Sequence, residues 1–226
     1  MSSTRPTAAS RPVRADPADD RGIGAGPAAV VFDVGHVLFD WDISRLYAKL
    51  IDDPTALEAF VGDVVTAEWH AQHDAGRPFA DTSAELTARF PHHRDLIAAY
   101  GPRFAETIPG PIPGSHEIVA DLDAAGVPLF SITNFSGEFF PPFRAANADL
   151  FDRFQDIVVS GDERMVKPDP AIYALALRRF SLGLGEGLFI DDRWENVEAA
   201  EAAGFVGHHF RDAATLRADL ERRGLL

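Results

Sequence analysis

Ala29-Val30-Val31-Phe32-Asp33-Val34-Gly35-His36-Val37-Leu38 opens with four apolar residues, bounded by Pro27 before and Gly35 after, and delivers a single carboxylate at their end. A continuous apolar run of that length reads as a strand buried on both faces, the habit of parallel sheets. Asp33 then stands at the strand's carboxyl end, where open α/β sheets place their ligands. Asp close before Gly is also ordinary turn chemistry, so this stretch decides nothing alone. Its weight comes from further apolar runs that end on polar groups.

Val127-Pro128-Leu129-Phe130-Ser131-Ile132 delivers Thr133 and Asn134, with Pro128 tolerable near a strand's start. Ile157-Val158-Val159-Ser160 leads into Gly161-Asp162, and Gly187-Leu188-Phe189-Ile190 ends on Asp191-Asp192. Residues 206–210 read as a last strand. Helical spacing fills the intervals. Ser115 with Ile118, Val119 and Leu122 predicts a Ser-capped helix ending near Gly126. Further helices are expected over residues 171–180, over 195–203 with a stop at Gly204, and over 213–223. Within residues 137–150 the pair Pro141-Pro142 predicts a break. Alternating strands and helices argue for an α/β fold, a parallel sheet with helices on both faces.

The interval after the first strand is different. Asp40-Trp41-Asp42 can cap a helix over residues 43–51, and Leu57, Phe60, Val61, Val64 and Val65, Leu86 with Phe90, and Leu96 with Tyr100 all recur at helical spacing. No strand candidate interrupts them. Residues 42–109 therefore read as an all-helical cap inserted into a core of residues 29–41 and 110–226, with Pro109-Gly110-Pro111-Ile112-Pro113-Gly114 as the returning hinge.

Composition excludes several functions. Thirty-five acids against 21 bases give a net charge of −14, with no Lys/Arg cluster to offset it, so nucleic acid is not an expected partner. The absence of Cys removes thiolate chemistry and fits a reducing, cytoplasmic compartment. Residues 1–28 lack apolar periodicity and read as a disordered tail in which Arg, Asp and Pro break any signal-like run. No stretch approaches a transmembrane span. Gly22, Gly24 and Gly26 precede the first strand, which denies them a dinucleotide-binding role. His70 with His73, His92-His93 and His208-His209 lack a third nearby ligand, so zinc is not expected. Lys167, one of only two lysines, lies in the Pro-rich turn Lys167-Pro168-Asp169-Pro170.

Parallel strands bring their carboxyl ends to one edge, so Asp33, Thr133-Asn134, Ser160-Gly161, Lys167 and Asp191-Asp192 are expected to share a crevice. Over nearly all its length after the tail, the chain resembles the haloacid dehalogenase-like hydrolase superfamily. The likeness rests on Phe32-Asp33-Val34-Gly35, Ser131-Ile132-Thr133-Asn134, Lys167-Pro168-Asp169-Pro170 through Tyr173, and Phe189-Ile190-Asp191-Asp192 with Asn196 beyond, in the family's order. It implies a Rossmann-like core carrying a small helical cap. The chain looks most like the subgroup of bacterial sugar-phosphate phosphatases and the phosphatase domain of some epoxide hydrolases.

That resemblance implies a Mg²⁺-dependent phosphatase acting on a small phosphorylated molecule such as a sugar phosphate, as a monomer or homodimer. Asp33 would attack phosphorus and form an aspartyl-phosphate. Asp33, the Gly35 carbonyl, Asp191 and Asp192 would hold Mg²⁺, with Asp192 the direct ligand of the pair. Thr133, the Asn134 amide and Lys167 would stabilise phosphate oxygens. His36 borders the site, and on the cap Trp69 and His73, four apart, would offer the substrate an apolar platform and a polar contact, the latter shared with Asp74.

One position departs from the pattern. Most phosphatases of this superfamily carry a second Asp, a general acid, where this chain has Gly35; His36, Asp40 or a cap residue would have to replace it. The gap keeps a second expectation open, a metal-independent 2-haloacid dehalogenase, and a third, an inactive binding protein of the same fold. Against the dehalogenase stand Asp191-Asp192, which would repel a carboxylate substrate, and the lack of an aromatic at Gly35.

Overall fold

The computed structural model describes residues 26–226, so the expected tail, Gly22 and Gly24 included, lies outside the described residues up to that point. Five strands, β1 (Ala29–Phe32), β2 (Leu129–Thr133), β3 (Asp156–Val159), β4 (Gly187–Asp191) and β5 (Val206–His209), form one parallel sheet in the order β3-β2-β1-β4-β5. From central β1 the chain builds outward through β2 and β3, then crosses back to β4 on the other side. That reversal opens a crevice at the carboxyl ends of β1 and β4. Phe32 pairs with Ser131 on one side and Ile190 on the other. The Asp33 N–H donates to the Ile190 carbonyl at 2.9 Å, which brings Asp33 into line with Asp191.

Alternation along β1 explains why its apolar run is unbroken. Val30 and Phe32 join a core with Ile118, Leu122, Leu188 and Ile190. Ala29 and Val31 face the opposite core, with Phe130, Ile172, Tyr173 and Phe189. Each fully buried side chain of this size contributes about 1.5–3 kcal/mol.

Between β1 and β2 lie α1 (Ser44–Tyr47), α2 (Pro54–Asp63), α3 (Ala67–Asp74), α4 (Phe79–Arg89) and α5 (Arg94–Ala99), with single 3₁₀ turns at Pro91–His93 and Phe104–Thr107. Asp53 caps α2 ahead of Pro54, and Thr66 caps α3. Their interior, including Tyr47, Phe60, Trp69, Leu86 and Tyr100, is buried and merges with one core of the sheet. Phe104 makes the join, stacking on Phe139 at 4.7 Å. The two crossing segments run side by side, where Asp40 N–H donates to Gly110 O and Asp42 N–H to Thr107 O. A second contact ties α3 to the core: Ser160 Oγ donates to Asp74 O at 2.6 Å. Next to it Gly76, at φ +85°, would set a Cβ 2.6 Å from Gly161 O, so that junction admits only glycine.

The remaining helices are α6 (Ser115–Ala124), α7 (Phe140–Ala146), α8 (Ala148–Phe151), α9 (Ser160–Glu163), α10 (Pro170–Arg179), α11 (Trp194–Ala203) and α12 (Ala213–Arg222). Among the described residues no helix is long and apolar enough to cross a membrane. Four expectations need correction. Regular helix in α1 covers only Ser44–Tyr47, and the chain continues as turns to Ile51, whose N–H donates to Tyr47 O, before Asp53 goes extended ahead of Pro54. Ser115 does not cap α6; Gly114, at φ +84°, holds that position and Ser115 is buried in the first turn. Strand β2 starts at Leu129, since the Val127 N–H donates back to Leu122 O at the end of α6. Pro141 and Pro142 occupy the first turn of α7, where no donor is needed, so they start the helix.

Candidate active site

At the carboxyl edge of the sheet, under α3, lies a cleft of about 310 Å³. Asp33, Val34, Gly35, Asn134, Lys167 and Asp192 contribute to its floor. The sharp turn after β1 puts them there: Leu38 and Phe39 N–H both donate to Val34 O, closing a single helical turn that leaves Gly35 and His36 at the rim. His36 adopts the left-handed conformation, φ +55°, with its ring 48% exposed and 3.6 Å from Asp40.

Lys167 is the keystone of the floor. Its ammonium sits 2.8 Å from Asp33 Oδ1 and 2.7 Å from Asp191 Oδ2, with the side chain 1% exposed. Burial disfavours that charge, yet the Asp191 and Asp33 carboxylates outweigh it and hold the pKa above the ordinary lysine value. Asn134 fixes the loop that delivers it, donating from Nδ2 to Lys167 O and accepting the Lys167 N–H at Oδ1. That pairing uses one of the two Nδ2 hydrogens, and Asn134 also lines the cleft.

Asp191 is wholly buried and engaged: besides Lys167 it accepts from the Arg193 N–H at 2.9 Å and from Asn196 Nδ2. Tyr173 Oη in turn donates to Asn196 O. Asp192 turns to the cleft instead, and burial together with the neighbouring Asp191 raises its pKa. Neither aspartate caps α11, whose cap position is Arg193. Asp33 is also raised, to about 7, by burial, with Lys167 opposing and Asp191 adding to it.

Oxygens of Asp33, Asp191 and Asp192 lie within 4.8 Å of one another. Three carboxylates against one ammonium leave the cluster short of positive charge, and an all-oxygen donor set of this span fits a hard divalent cation such as Mg²⁺. Thr133 Oγ1, buried at the end of β2, has no hydrogen-bond partner among the described residues. Ser131 Oγ on the same strand and Ser115 Oγ are unpaired in the same way, and Thr133 lies behind the residues that line the cleft.

The roof differs from expectation. Trp69 and His73 do not reach the cleft: they are 5% and 1% exposed, packed edge to face, with Trp69 Nε1 donating to Thr82 O and His73 Nε2 at 2.7 Å from Thr82 Oγ1. The adjacent face of α3 lines it with Ala67, His70, Ala71 and Asp74. Trp41, read from sequence as part of a helix cap, stacks on His70 at 4.6 Å and joins Phe39, Phe104, Ile108, Phe135 and Phe143 in an apolar wall. Its only signal in sequence is an aromatic eight residues after Asp33, which carries no periodicity.

A sesquiterpene phosphatase of Aspergillus oryzae is 29% identical over 188 residues, spanning 82% of this chain and 90% of its own. A phosphoglycolate phosphatase of Yersinia pseudotuberculosis is 29% identical over 77% of each chain. The fold recurs in a haloacid dehalogenase-family enzyme of Bacteroides thetaiotaomicron solved with magnesium and inorganic phosphate (TM-score 0.61, 17% identity, 83% and 96% coverage). It recurs also in an L-2-haloacid dehalogenase of Xanthobacter autotrophicus (0.58, 19%, 88% and 84%). The sequence model of one hydrolase family matches residues 27–204, from the start of β1 to just past α11. Because that span takes in the β1, β2 and β4 ends and the Lys167 loop that build the floor, the chain belongs to the haloacid dehalogenase-like hydrolases.

Proposed function

We propose that the protein is a Mg²⁺-dependent phosphatase that cleaves a small phosphate monoester through an aspartyl-phosphate on Asp33, and that the alcohol half of its substrate is apolar. The observation carrying the reaction is Lys167, clamped between Asp33 and Asp191 beside a cleft-facing Asp192. Asp33 attacks phosphorus while Lys167 stabilises the oxygens on which charge gathers. Asp33, Asp192 and the Gly35 carbonyl would hold Mg²⁺, with Asp191 behind them, and the cation would offset the charge of carboxylates and phosphate together. A dehalogenase acting on a carboxylate substrate has no such use for three acids at its floor.

A sugar ring brings hydroxyls that need partners when buried. Beyond the floor the walls of the cleft are aromatic rings, Ile108 and alanine methyls, while His36, Asp40, His70, Asp74, Arg193 and Asn196 supply its polar lining. An alkyl or isoprenoid alcohol suits those walls, as the name of the Aspergillus relative also suggests. A reducing cytoplasm is the compartment the cysteine-free composition fits.

Phosphate release from n-octyl phosphate and glucose 1-phosphate, with Mg²⁺ and with chelator, tests both parts beside halide release from 2-chloropropionate. Expected are metal-dependent release, at least a tenfold preference in kcat/KM for the octyl ester, and loss of turnover in Asp33→Asn without loss of fold. Metal-independent halide release overturns the reaction; a preference for the sugar ester overturns the alcohol alone.

A further inference from the structure

Gly35 leaves the floor without a carboxylate to protonate the leaving alcohol, yet the cleft holds another. Asp74, the last residue of α3, lines the roof above Asp33 and Lys167. Its Oδ2 lies 3.4 Å from His70 Nε2 and its side chain is 13% exposed. Its Oδ1 is buried with no partner among the described residues. Across the imidazole, Tyr100 Oη stands 2.6 Å from His70 Nδ1. Burial holds the Tyr100 pKa well above its ordinary value, so the phenol stays neutral beside the imidazole.

We infer that Asp74 is the proton donor and acceptor of the reaction, replacing from the cap the carboxylate that Gly35 does not supply. The inference rests on the phosphatase reading. As Asp33 forms its bond to phosphorus, the bond from phosphorus to the alcohol oxygen breaks; that oxygen keeps the electron pair and takes the Asp74 proton, leaving as neutral alcohol. Water then attacks the aspartyl-phosphate and gives its proton to the Asp74 carboxylate, releasing phosphate, the free Asp33 carboxylate and Asp74 again protonated. Two carboxyl roles thus come from two domains. His70 and Tyr100 are positioning residues, since they act through Asp74.

The surroundings of Asp74 suit this cycle. The groups facing it are His70 on its own helix, Tyr100 after α5, and Lys167 below, of which only Lys167 is charged at neutral pH. Burial holds the His70 pKa down at about 4, so the imidazole stays neutral. Burial raises Asp74 to about 7, with Lys167 restraining the rise. An acid titrating near the working pH can serve in both directions. The orphaned Oδ1 points the same way, because a buried carboxylate oxygen without a donor favours the protonated form.

The test is leaving-group dependence in kcat/KM, which reports only the steps up to phosphorylation of Asp33. Asp74→Asn is expected to lower kcat/KM for n-octyl phosphate at least 100-fold. For 4-nitrophenyl phosphate, whose phenolate leaves without a proton, the fall stays within about fivefold, with a burst of nitrophenolate near one equivalent because the second step has lost its base. Gly35→Asp in that background is expected to recover part of the octyl ester activity, since a Cβ at Gly35 meets nothing within 4 Å. Equal falls on both esters, or no fall on the octyl ester, overturn the assignment. Wild-type protein gives a check free of folding effects: kcat/KM for the octyl ester should fall above about pH 7 relative to the aryl ester, and parallel profiles overturn it. No metal-dependent release from either ester by wild type would instead sink the phosphatase reading itself.

Discussion

Floor and roof of the cleft are built by different rules. The floor takes one side chain from each of several strand ends, and parallel register leaves those ends no freedom: with Phe32 opposite Ile190, Asp33 must fall beside Asp191. The roof is set by how α3 is rotated, and one residue along a helix turns a side chain by about 100°. His70 and Asp74 reach the substrate space while Trp69 and His73, one position earlier, are packed away. The nucleophile and the charge around it therefore sit on the element whose geometry is hardest to perturb, while selectivity and the proposed proton transfer fall to the one easiest to retune.

The sharpest way to break this comparison is to remove the charge that organises the floor. Lys167→Met leaves Asp33 and Asp191 buried without their cation, and the expected outcome is a fall of about 10²–10³ in kcat together with about 3–5 kcal/mol less stability in urea unfolding. Lys49→Met serves as the control, because Lys49 pairs with Glu106 at the surface and is 54% exposed. Its removal should move neither quantity. A wild-type rate in Lys167→Met would mean that the floor is held by something other than charge.

The same contrast explains what could be read in advance. Strand β1 was legible to the residue, because burial on both faces writes itself as an unbroken apolar run. Asp33, Lys167 and the Asp191-Asp192 pair were legible as a set, since the order of strands along the chain already implies a shared edge. Pro141-Pro142 misled because a proline pair reads alike at a helix's start and at its break, and only Phe140 and Phe143 finding buried sites decides between them. Trp41 was invisible as a cleft wall for a related reason: it lies in an irregular segment, and its facing follows from the return of the chain through Thr107 and Gly110. On α3 the amphipathic signal is weak, with Trp, His and Gln spread around the helix, so the sequence does not say which stripe faces inward.

Two tryptophans sharpen the roof. Trp69→Ala is expected to lower stability by about 3–5 kcal/mol, as a large buried ring lost from the interior of the helical insertion leaves a cavity. Trp41→Ala is expected to leave stability nearly unchanged and to raise KM for n-octyl phosphate about tenfold, a loss on the order of 1–3 kcal/mol of apolar contact. Urea unfolding and steady-state kinetics on the same two variants separate the roles. A KM effect from Trp69→Ala with stability intact would exchange the two faces of α3.

His73 gives the smallest and most specific test of the insertion's interior. Burial, aided by His70 and Arg77, lowers its pKa to about 4. With Nε2 on the Thr82 hydroxyl, Nδ1 is buried without a partner among the described residues, so protonation would place an unanswered N–H⁺ inside the helical cluster. A group whose folded pKa lies below its unfolded value near 6.5 takes up its proton on unfolding. Its contribution to stability is complete above pH 6.5 and is lost as the pH falls toward 4. Asp33 and Asp74, both raised to about 7, work in the opposite sense over that interval, the folded state binding more protons as the pH drops. The quantity to measure is therefore the difference between wild type and His73→Gln, by urea unfolding followed through tryptophan fluorescence, Trp69 lying 4.7 Å from the imidazole. Going from pH 7 to pH 5, wild type should lose about 2 kcal/mol relative to the variant. A difference that does not change with pH would mean that His73 reaches solvent and that α3 is rotated, which would bring Trp69 back to the cleft and remove Asp74 from it.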